Sequence, residues 1–272
     1  MSQIKQTILE ELKCIEREEG VRILYACESG SRAWGFPSRD SDYDVRFLYI
    51  RPVEWYLSIF DKRDVIERPI SDRLDINGWD MKKALRLFRK SNPPLLEWLQ
   101  SPIRYLECYS AASRIREHAS QMFSPRACMH HYLHMARGNY RTYLQGDTVK
   151  IKKYFYVLRP ILACEWIEKH GAMPPMEFQR LADALIPEGS GLKTAVQELL
   201  ARKIAGDEMK DEPKIAVINE YIETKLAEYE RIAKDMRTAE RDEVGIDAKL
   251  DDLFRSVVYE GWEKDECDGH FV

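Results

Sequence analysis

Residues 21–50 read VRILYACESGSRAWGFPSRDSDYDVRFLYI. The segments 21–28 and 43–51 are short and rich in β-branched and aromatic residues, which predicts two neighbouring buried strands. Between them, Gly30 and Ser31 stand where the first strand gives way to a short helix. Backbone N–H groups at such a turn have no partners within the helix, so this pair predicts a cradle for phosphate oxygens.

Two aspartates, Asp42 and Asp44, open the second predicted strand with one tyrosine between them. Residues two apart on a strand point to the same face, so both carboxylates are expected on one side of the sheet. Hard oxygen ligands beside an anion cradle suit Mg²⁺ that carries a nucleoside triphosphate. Asp75 is a third candidate, because aspartate is disfavoured inside a strand such as the one predicted at 73–78.

Five motifs carry a family resemblance: GSRAWG (30–35), SDYDVR (41–46), DINGWD (75–80), NPPLLEWL (92–99) and KKYFYVLRP (152–160). Together they resemble the DNA polymerase beta nucleotidyltransferase superfamily and, within it, the predicted nucleotidyltransferases called YcgL-like or RNA-repair-associated (RlaP). The resemblance covers about residues 10–260. It implies an α+β fold, in which a polymerase-beta-type core with a small mixed sheet and helices precedes an all-helical C-terminal domain.

The chemistry follows from the charge that nucleotidyl transfer creates. An acceptor hydroxyl displaces pyrophosphate from the α-phosphorus of a nucleoside triphosphate, and divalent metal ions stabilise the developing negative charge. We assign Asp42 and Asp44 to two Mg²⁺ ions, with Mn²⁺ as a substitute, and the resemblance implies that Asp75 completes the second metal site. The candidate residues for binding the triphosphate are Gly30, Ser31, Arg32, Ser41, Lys152, Lys153 and Arg159.

Charge is distributed unevenly, although the net charge of the 272 residues is only −4. Residues 126–160 hold seven Lys or Arg against one acid, and residues 207–252 hold fifteen acids against eight bases. Tyrosines interleave with the basic stretch, a mixture that holds phosphates and stacks bases. This predicts an RNA acceptor contacted through residues 126–160. The same pattern also fits helices whose aromatic residues face the core and whose cations face water.

The hydrophobic periodicity and the positions of Pro and Gly predict where the domains and helices of the chain begin and end. The expected catalytic core is 1–102, ending at Ser101-Pro102, followed by a helical substrate-binding domain at 103–260 and a tail at 261–272. Asp80 is expected to cap a helix that runs to about residue 90. Further helices are predicted at 4–19, 95–99, 109–122, 125–145, 149–170, 175–185, 190–205, 213–240 and 247–258.

Composition limits the location of the protein. Charged residues make up 32% of the chain, and no apolar run approaches the roughly 18 residues of a membrane span. The six cysteines are scattered without a Cys-x-x-Cys pair, which favours reduced thiols and a cytoplasmic protein.

Several points stay open from sequence alone. The acceptor is an RNA 3′ end of tRNA-like kind in the favoured interpretation, and a protein side chain or a small hydroxylated molecule in the alternatives. A non-catalytic nucleotide sensor is a further alternative. The sequence does not fix the triphosphate used, the number of nucleotides added or the oligomeric state. It also gives no role to Asn92, Glu97, His130, His131 and His134.

Overall fold

The computed structural model of the chain describes residues 3–69, 73–206, 211–237 and 242–263. The strands in these residues are β1 (Arg22–Ser29), β2 (Tyr43–Ile50), β3 (Val65–Glu67), β4 (Leu74–Asp80), β5 (Arg104–Glu107), β6 (Thr148–Lys150) and β7 (Asp211–Pro213). The helices are α1 (Gln3–Glu19), α2 (Gly30–Ala33), α3 (Val53–Tyr56), α4 (Met81–Arg89), α5 (Pro93–Leu99), α6 (Ala111–Met122), α7 (Pro125–Tyr143), α8 (Tyr154–His170), α9 (Phe178–Leu185), α10 (Gly191–Ala205), α11 (Ala216–Asp235) and α12 (Glu243–Glu263).

The contacts of the chain divide it into two units. Unit 1 comprises Met1–Gly30, Asp42–Met122 and Glu240–Val272. Unit 2 comprises Ser31–Ser41 and Phe123–Ala239. Each unit is therefore assembled from separated stretches of sequence.

Unit 1 is built on a five-stranded sheet in the order β3-β4-β2-β1-β5. β1 is antiparallel to β2 and β5, whereas β4 is parallel to β2 and antiparallel to β3. The small mixed sheet that the sequence predicts is confirmed. The apolar stripe of α1, formed by Ile8, Leu9, Leu12 and Ile15, is buried in a cluster with residues of the sheet.

Residues beyond the expected boundary at 102 complete unit 1. The hydroxyl of Ser101 donates to the carbonyl of Glu28 at 2.6 Å, and the chain then pairs β5 with β1. α6 and α12 also belong to this unit. The pattern at 101–102 therefore marks a turn back to the sheet, and a strand of four residues is too short to show a periodicity.

Unit 2 is mainly helical, as expected, with the short β6–β7 pair added. The helix predicted at 149–170 is wrong in its first turn, because β6 and a 3₁₀ turn at Ile151–Lys153 precede α8. α8 continues past Pro160, as the predicted range requires. Most of α8 is buried, and this packing outweighs the backbone hydrogen bond that proline removes.

The segment Ser31–Ser41 packs within unit 2 through aromatic rings. Phe36 stacks on Phe155 with ring centroids 4.7 Å apart and meets Phe178 edge-on at 5.6 Å. The carbonyl of Trp34 accepts the backbone N–H of Phe178 at 2.9 Å.

Three further expectations concern cysteines, the membrane and the tail. Cys14, Cys27, Cys128 and Cys164 carry free thiols, whereas Cys108 is disulfide-bonded. The scattered spacing of the cysteines gave no indication of that bond.

In the ranges that the structure describes, no helix combines the length and apolarity needed to cross a membrane. Of the tail expected at 261–272, residues 261–263 form the end of α12, and the rest lies outside the described residues.

Candidate active site

Asp44 and Asp75 lie side by side in unit 1. They are register partners in the parallel pair of β2 and β4, and their side chains are 28% and 33% exposed. Both residues are near the first residue of their strand, so the two carboxylates stand at the same level of the sheet. The structure thus brings together two of the three predicted acids.

Arg46 binds both of these carboxylates. Its Nη2 lies 2.7 Å from Oδ2 of Asp75 and 3.4 Å from Oδ1 of Asp44, and its Nη1 donates to the carbonyl of Asp75 at 2.9 Å. Arg46 follows Asp44 by two residues, so the two side chains share a face of β2. One guanidinium therefore offsets the repulsion between two adjacent negative charges.

Glu28 is a buried acid that the sequence reasoning missed. Its side chain is fully buried, its Oε1 accepts the backbone N–H of Asp44 at 2.8 Å, and its Oε2 accepts the hydroxyl of Tyr105. A buried carboxylate requires such partners because desolvation penalises its charge. Glu28 therefore fixes the backbone that carries Asp44. The available signal was an acid at the end of an otherwise apolar strand.

Gly30 lies against the carboxylate of Asp44. Its φ of +63° is in the left-handed region, and a Cβ built at this position would overlap Oδ2 of Asp44 and stand 2.9 Å from its Cγ. A glycine is required here for both reasons, since any other residue would add strain and a steric clash. The backbone of Gly30 is therefore directly adjacent to the carboxylate of Asp44.

Asp42 precedes β2 and is exposed. Ser31, Arg32 and Ser41 belong to the segment of unit 2 between Gly30 and Asp42. Nη2 of Arg32 donates to the carbonyl of Ser41 at 2.7 Å, and the hydroxyl of Ser41 accepts the backbone N–H of Ser38 at 2.9 Å. Arg32 and Ser41 therefore stabilise the segment Ser31–Ser41 through hydrogen bonds within it.

The three predicted cations of α8 and the preceding turn differ in exposure. Lys152 is exposed, and Lys153 is half-buried. Arg159 is only 1% exposed; its guanidinium lies 4.8 Å from the centre of the Trp34 ring and donates to the carbonyl of Met176 at 3.2 Å. Asn92, which had no role assigned from sequence, caps α5 by accepting the N–H of Leu95.

The fit of a metal ion depends on the donor set. Within residues 3–69, 73–206, 211–237 and 242–263, no group of three or more His, Cys, Asp or Glu side chains is placed to hold a metal ion, and this covers His130, His131 and His134. Asp44 and Asp75 nevertheless fit Mg²⁺ in their chemistry, because they are adjacent, partly exposed carboxylates that already share a cationic partner.

Comparisons with known proteins bear on the identity of this site. A family model described as RlaP, the RNA repair pathway DNA polymerase beta family, matches residues 4–256. "Uncharacterized protein YcgL" of Bacillus subtilis (strain 168) is 53% identical over 260 residues, which cover 96% of this chain and 98% of that protein. A nucleotidyltransferase-like protein from Exiguobacterium sibiricum 255-15, known from a crystal structure, is 12% identical with a TM-score of 0.29 over 92% of this chain and 90% of its own. That structural likeness is too distant to bear on function. The match of the family model along nearly the whole sequence shows that the chain belongs to the RNA repair pathway DNA polymerase beta family.

Proposed function

We propose that the protein is a magnesium-dependent nucleotidyltransferase of the cytoplasm. It transfers a nucleoside monophosphate from a nucleoside triphosphate to the 3′ hydroxyl of a tRNA-like RNA, with release of pyrophosphate. The observation that carries the proposal is the register pairing of Asp44 with Asp75, next to the backbone of Gly30. Membership of an RNA repair family supports RNA as the acceptor.

The residues of unit 1 hold the reacting groups in this proposal. Two Mg²⁺ ions, or Mn²⁺ in their place, would supply the positive charge that the transferred phosphoryl group requires, and the paired carboxylates of Asp44 and Asp75 would hold them. Asp42, exposed just before β2, lies outside this pair. Asp44 is positioned through its backbone by Glu28, and Asp75 by the guanidinium of Arg46. Such preorganisation places charge where the transition state develops it.

The residues assigned to the triphosphate divide into two groups. Gly30 and Ser31 would offer backbone N–H groups to phosphate oxygens, whereas Lys152 and Lys153 belong to unit 2 and are kept for the acceptor RNA. Arg32, Ser41 and Arg159 form a second group, because their polar atoms already bind protein groups within unit 2.

Removal of either paired carboxylate tests the proposal. Asp44→Asn and Asp75→Asn keep the side-chain size but remove the charge that holds a divalent ion, so we expect nucleotidyl transfer to fall by about 10²–10³-fold, as for other loss of charge stabilisation in the transition state. The measurement uses each α-labelled nucleoside triphosphate, Mg²⁺ and total cellular RNA. Asp61→Asn, at an exposed position of unit 1, is the control and should keep wild-type turnover.

The same assay separates the other functions. Label in RNA that disappears in both variants supports the proposal. Label in a protein band or in a small molecule would replace RNA as the acceptor, and triphosphate binding without label in any product would indicate a sensor. Full turnover in Asp44→Asn would refute the site itself.

A further inference from the structure

We infer that a cluster of cations and tyrosine rings in unit 2 binds the single-stranded end of the acceptor RNA. The inference rests on the proposed function, because RNA is the acceptor there. We call this surface the basic-aromatic cluster. Its members are Tyr143 at the end of α7, Lys150 at the end of β6, Lys152 and Lys153 in the 3₁₀ turn, and Tyr156 in the first turn of α8.

The structure separates the core aromatic residues of the basic stretch from those at its surface. Tyr132, Tyr140 and Tyr154 are buried, and the hydroxyls of Tyr140 and Tyr154 bind Glu223 and Asn219. These three tyrosines stabilise the helical unit and are closed to a ligand. Tyr156 is 42% exposed, and Tyr143 is half-buried. Ring surface for a ligand is therefore concentrated in the cluster.

In the described parts of the chain, no carboxylate forms an ion pair with Lys150, Lys152 or Lys153. The nearby acids have other partners, since Asp147 pairs with Lys214 and Glu212 with Arg202. Asp211 is the register partner of Lys150, and one such acid against three lysines leaves the cluster with a surplus of positive charge. Such a surplus attracts a polyanion.

Lys150 and Lys153 lie over the faces of the two tyrosine rings of the cluster. Nζ of Lys153 lies 4.5 Å from the centre of the Tyr143 ring and 4.6 Å from that of Tyr156, and Nζ of Lys150 lies 5.8 Å from the Tyr143 ring. An exposed cation–π contact is weaker than the stacking of a nucleobase. A base can therefore displace the ammonium group, which then binds the phosphate next to that base.

This arrangement fits single-stranded RNA better than a duplex. Alternating ring faces and flexible cations match alternating bases and phosphates, which is how proteins hold single strands without reading their sequence. In a duplex the bases are stacked on one another and offer no face to a tyrosine. The free 3′ end of an acceptor RNA is the single-stranded segment that a nucleotidyltransferase must hold.

The test measures RNA binding without catalysis. Fluorescence anisotropy follows a labelled single-stranded RNA of about 12 nucleotides and a blunt RNA hairpin, with EDTA and no triphosphate, over a series of salt concentrations. The variants are the double substitution Lys152→Ala with Lys153→Ala, and the single substitutions Tyr156→Ala and Tyr156→Phe. The matched control replaces Arg231 and Lys234 by alanine, two exposed cations of α11 in the same unit.

The expected results are quantitative. Loss of two phosphate contacts should reduce the slope of log K against log salt by about 1.4 and weaken single-strand binding by about tenfold or more. Tyr156→Ala should weaken it by about fivefold or more through lost stacking, whereas Tyr156→Phe keeps the ring and should stay within about twofold. The control should also stay within about twofold, and the hairpin should bind more weakly than the single strand.

Three outcomes would overturn the inference: unchanged affinity and salt slope in the double lysine variant, equal effects of the two Tyr156 substitutions, or tighter binding of the blunt hairpin. Thermal unfolding of each variant excludes misfolding as the cause of a loss. The proposed function fails separately. If the wild type binds RNA through the cluster but transfers no nucleotide, the inference holds and the function does not. If transfer to RNA keeps its KM for RNA in the double lysine variant, the function holds and the inference does not.

Discussion

Gly30 shows how one residue without a side chain governs the position of a carboxylate. Gly30→Ala would combine a left-handed backbone with an overlap on Asp44, so Asp44 must move. Gly20 is a matched control, because its φ is +62° but a Cβ there would meet nothing within 4 Å. We expect Gly20→Ala to lower the free energy of unfolding by about 1–2 kcal/mol, the strain alone. Gly30→Ala should lower it by about 1–3 kcal/mol more and should abolish transfer.

Denaturant unfolding and nucleotidyl transfer measure these two effects. Only the overlap distinguishes the two glycines, so a difference in activity between the variants reports the displacement of Asp44. Equal stability and equal activity in Gly20→Ala and Gly30→Ala would contradict the close approach.

Glu28 is expected to position Asp44 through its backbone. Glu28→Gln keeps an oxygen for the N–H of Asp44, and its new amide can donate to the hydroxyl of Tyr105. Glu28→Ala leaves that buried N–H without its acceptor, which costs about 1–3 kcal/mol. We expect Glu28→Ala to raise the Mg²⁺ concentration needed for half-maximal transfer, and Glu28→Gln to restore most of this loss.

A Mg²⁺ titration of activity and a urea denaturation curve, run on both variants, separate positioning from simple stability. If Glu28 were only structural, the destabilised variant would lose folded protein without a change in its Mg²⁺ requirement. The same Mg²⁺ requirement in Glu28→Ala as in the wild type would therefore rule out the positioning role.

At the scale of single residues, the sequence predicts those site residues that a short local motif identifies. The Gly-Ser pair and the spacing of Asp42 and Asp44 are visible in a short window. Glu28 was missed because its partner Tyr105 lies 77 residues away in the chain. The pairing of Arg46 with Asp44 follows from their shared strand face, whereas its contact with Asp75 depends on the register between β2 and β4, which a short motif does not specify.

Asp80 joins two elements, as the last residue of β4 and the cap of α4. Its Oδ1 accepts the N–H of Lys82 at 2.8 Å and its Oδ2 the hydroxyl of Tyr56 at 2.9 Å. The cap was predicted from sequence and is confirmed. Burial raises the pKa of the Asp80 carboxyl above its ordinary value, because desolvation penalises the charged form.

The raised pKa gives Asp80 a defined effect on stability. Between the ordinary pKa and the raised one, the folded state holds a proton that the unfolded state releases, so stability falls as pH rises through this window. Asp80→Asn keeps an oxygen acceptor for the cap but does not titrate. The contribution of Asp80 to the stability of the wild type falls as pH rises from about 3 to 7, whereas the variant has no such dependence. We therefore expect the free energy of unfolding of Asp80→Asn, minus that of the wild type, to increase over this range. Urea denaturation at several pH values measures it, with Asp61→Asn as the control; a constant difference would contradict the burial effect.

The order of elements was largely predictable, and the division of the whole molecule was not. Local sequence predicted α1 and α7 because their apolar residues fall on one helix face, and it predicted β2 because its apolar run is buried on both faces of the sheet. The boundary at 102 failed to anticipate that α12 returns to unit 1 and that Ser31–Ser41 joins unit 2. A change in composition along the chain marks a domain boundary only where each domain is one continuous stretch of sequence. Here each unit combines separated stretches, so no single position divides them.

This discontinuous assembly predicts the behaviour of the isolated fragment 1–102. β1 would lose its pairing with β5, and the carbonyl of Arg51 would lose the indole N–H of Trp262, which donates to it at 3.0 Å. The fragment would also expose Phe36, whose aromatic partners lie in α8 and α9. A chain near 100 residues has little stability to spare, since folded domains are stable by only about 5–15 kcal/mol. We therefore expect no cooperative urea transition by circular dichroism for this fragment, and a sharp transition for the full chain under the same conditions. A sigmoidal transition in the fragment would mean that the first 102 residues form a core independent of β5 and α12.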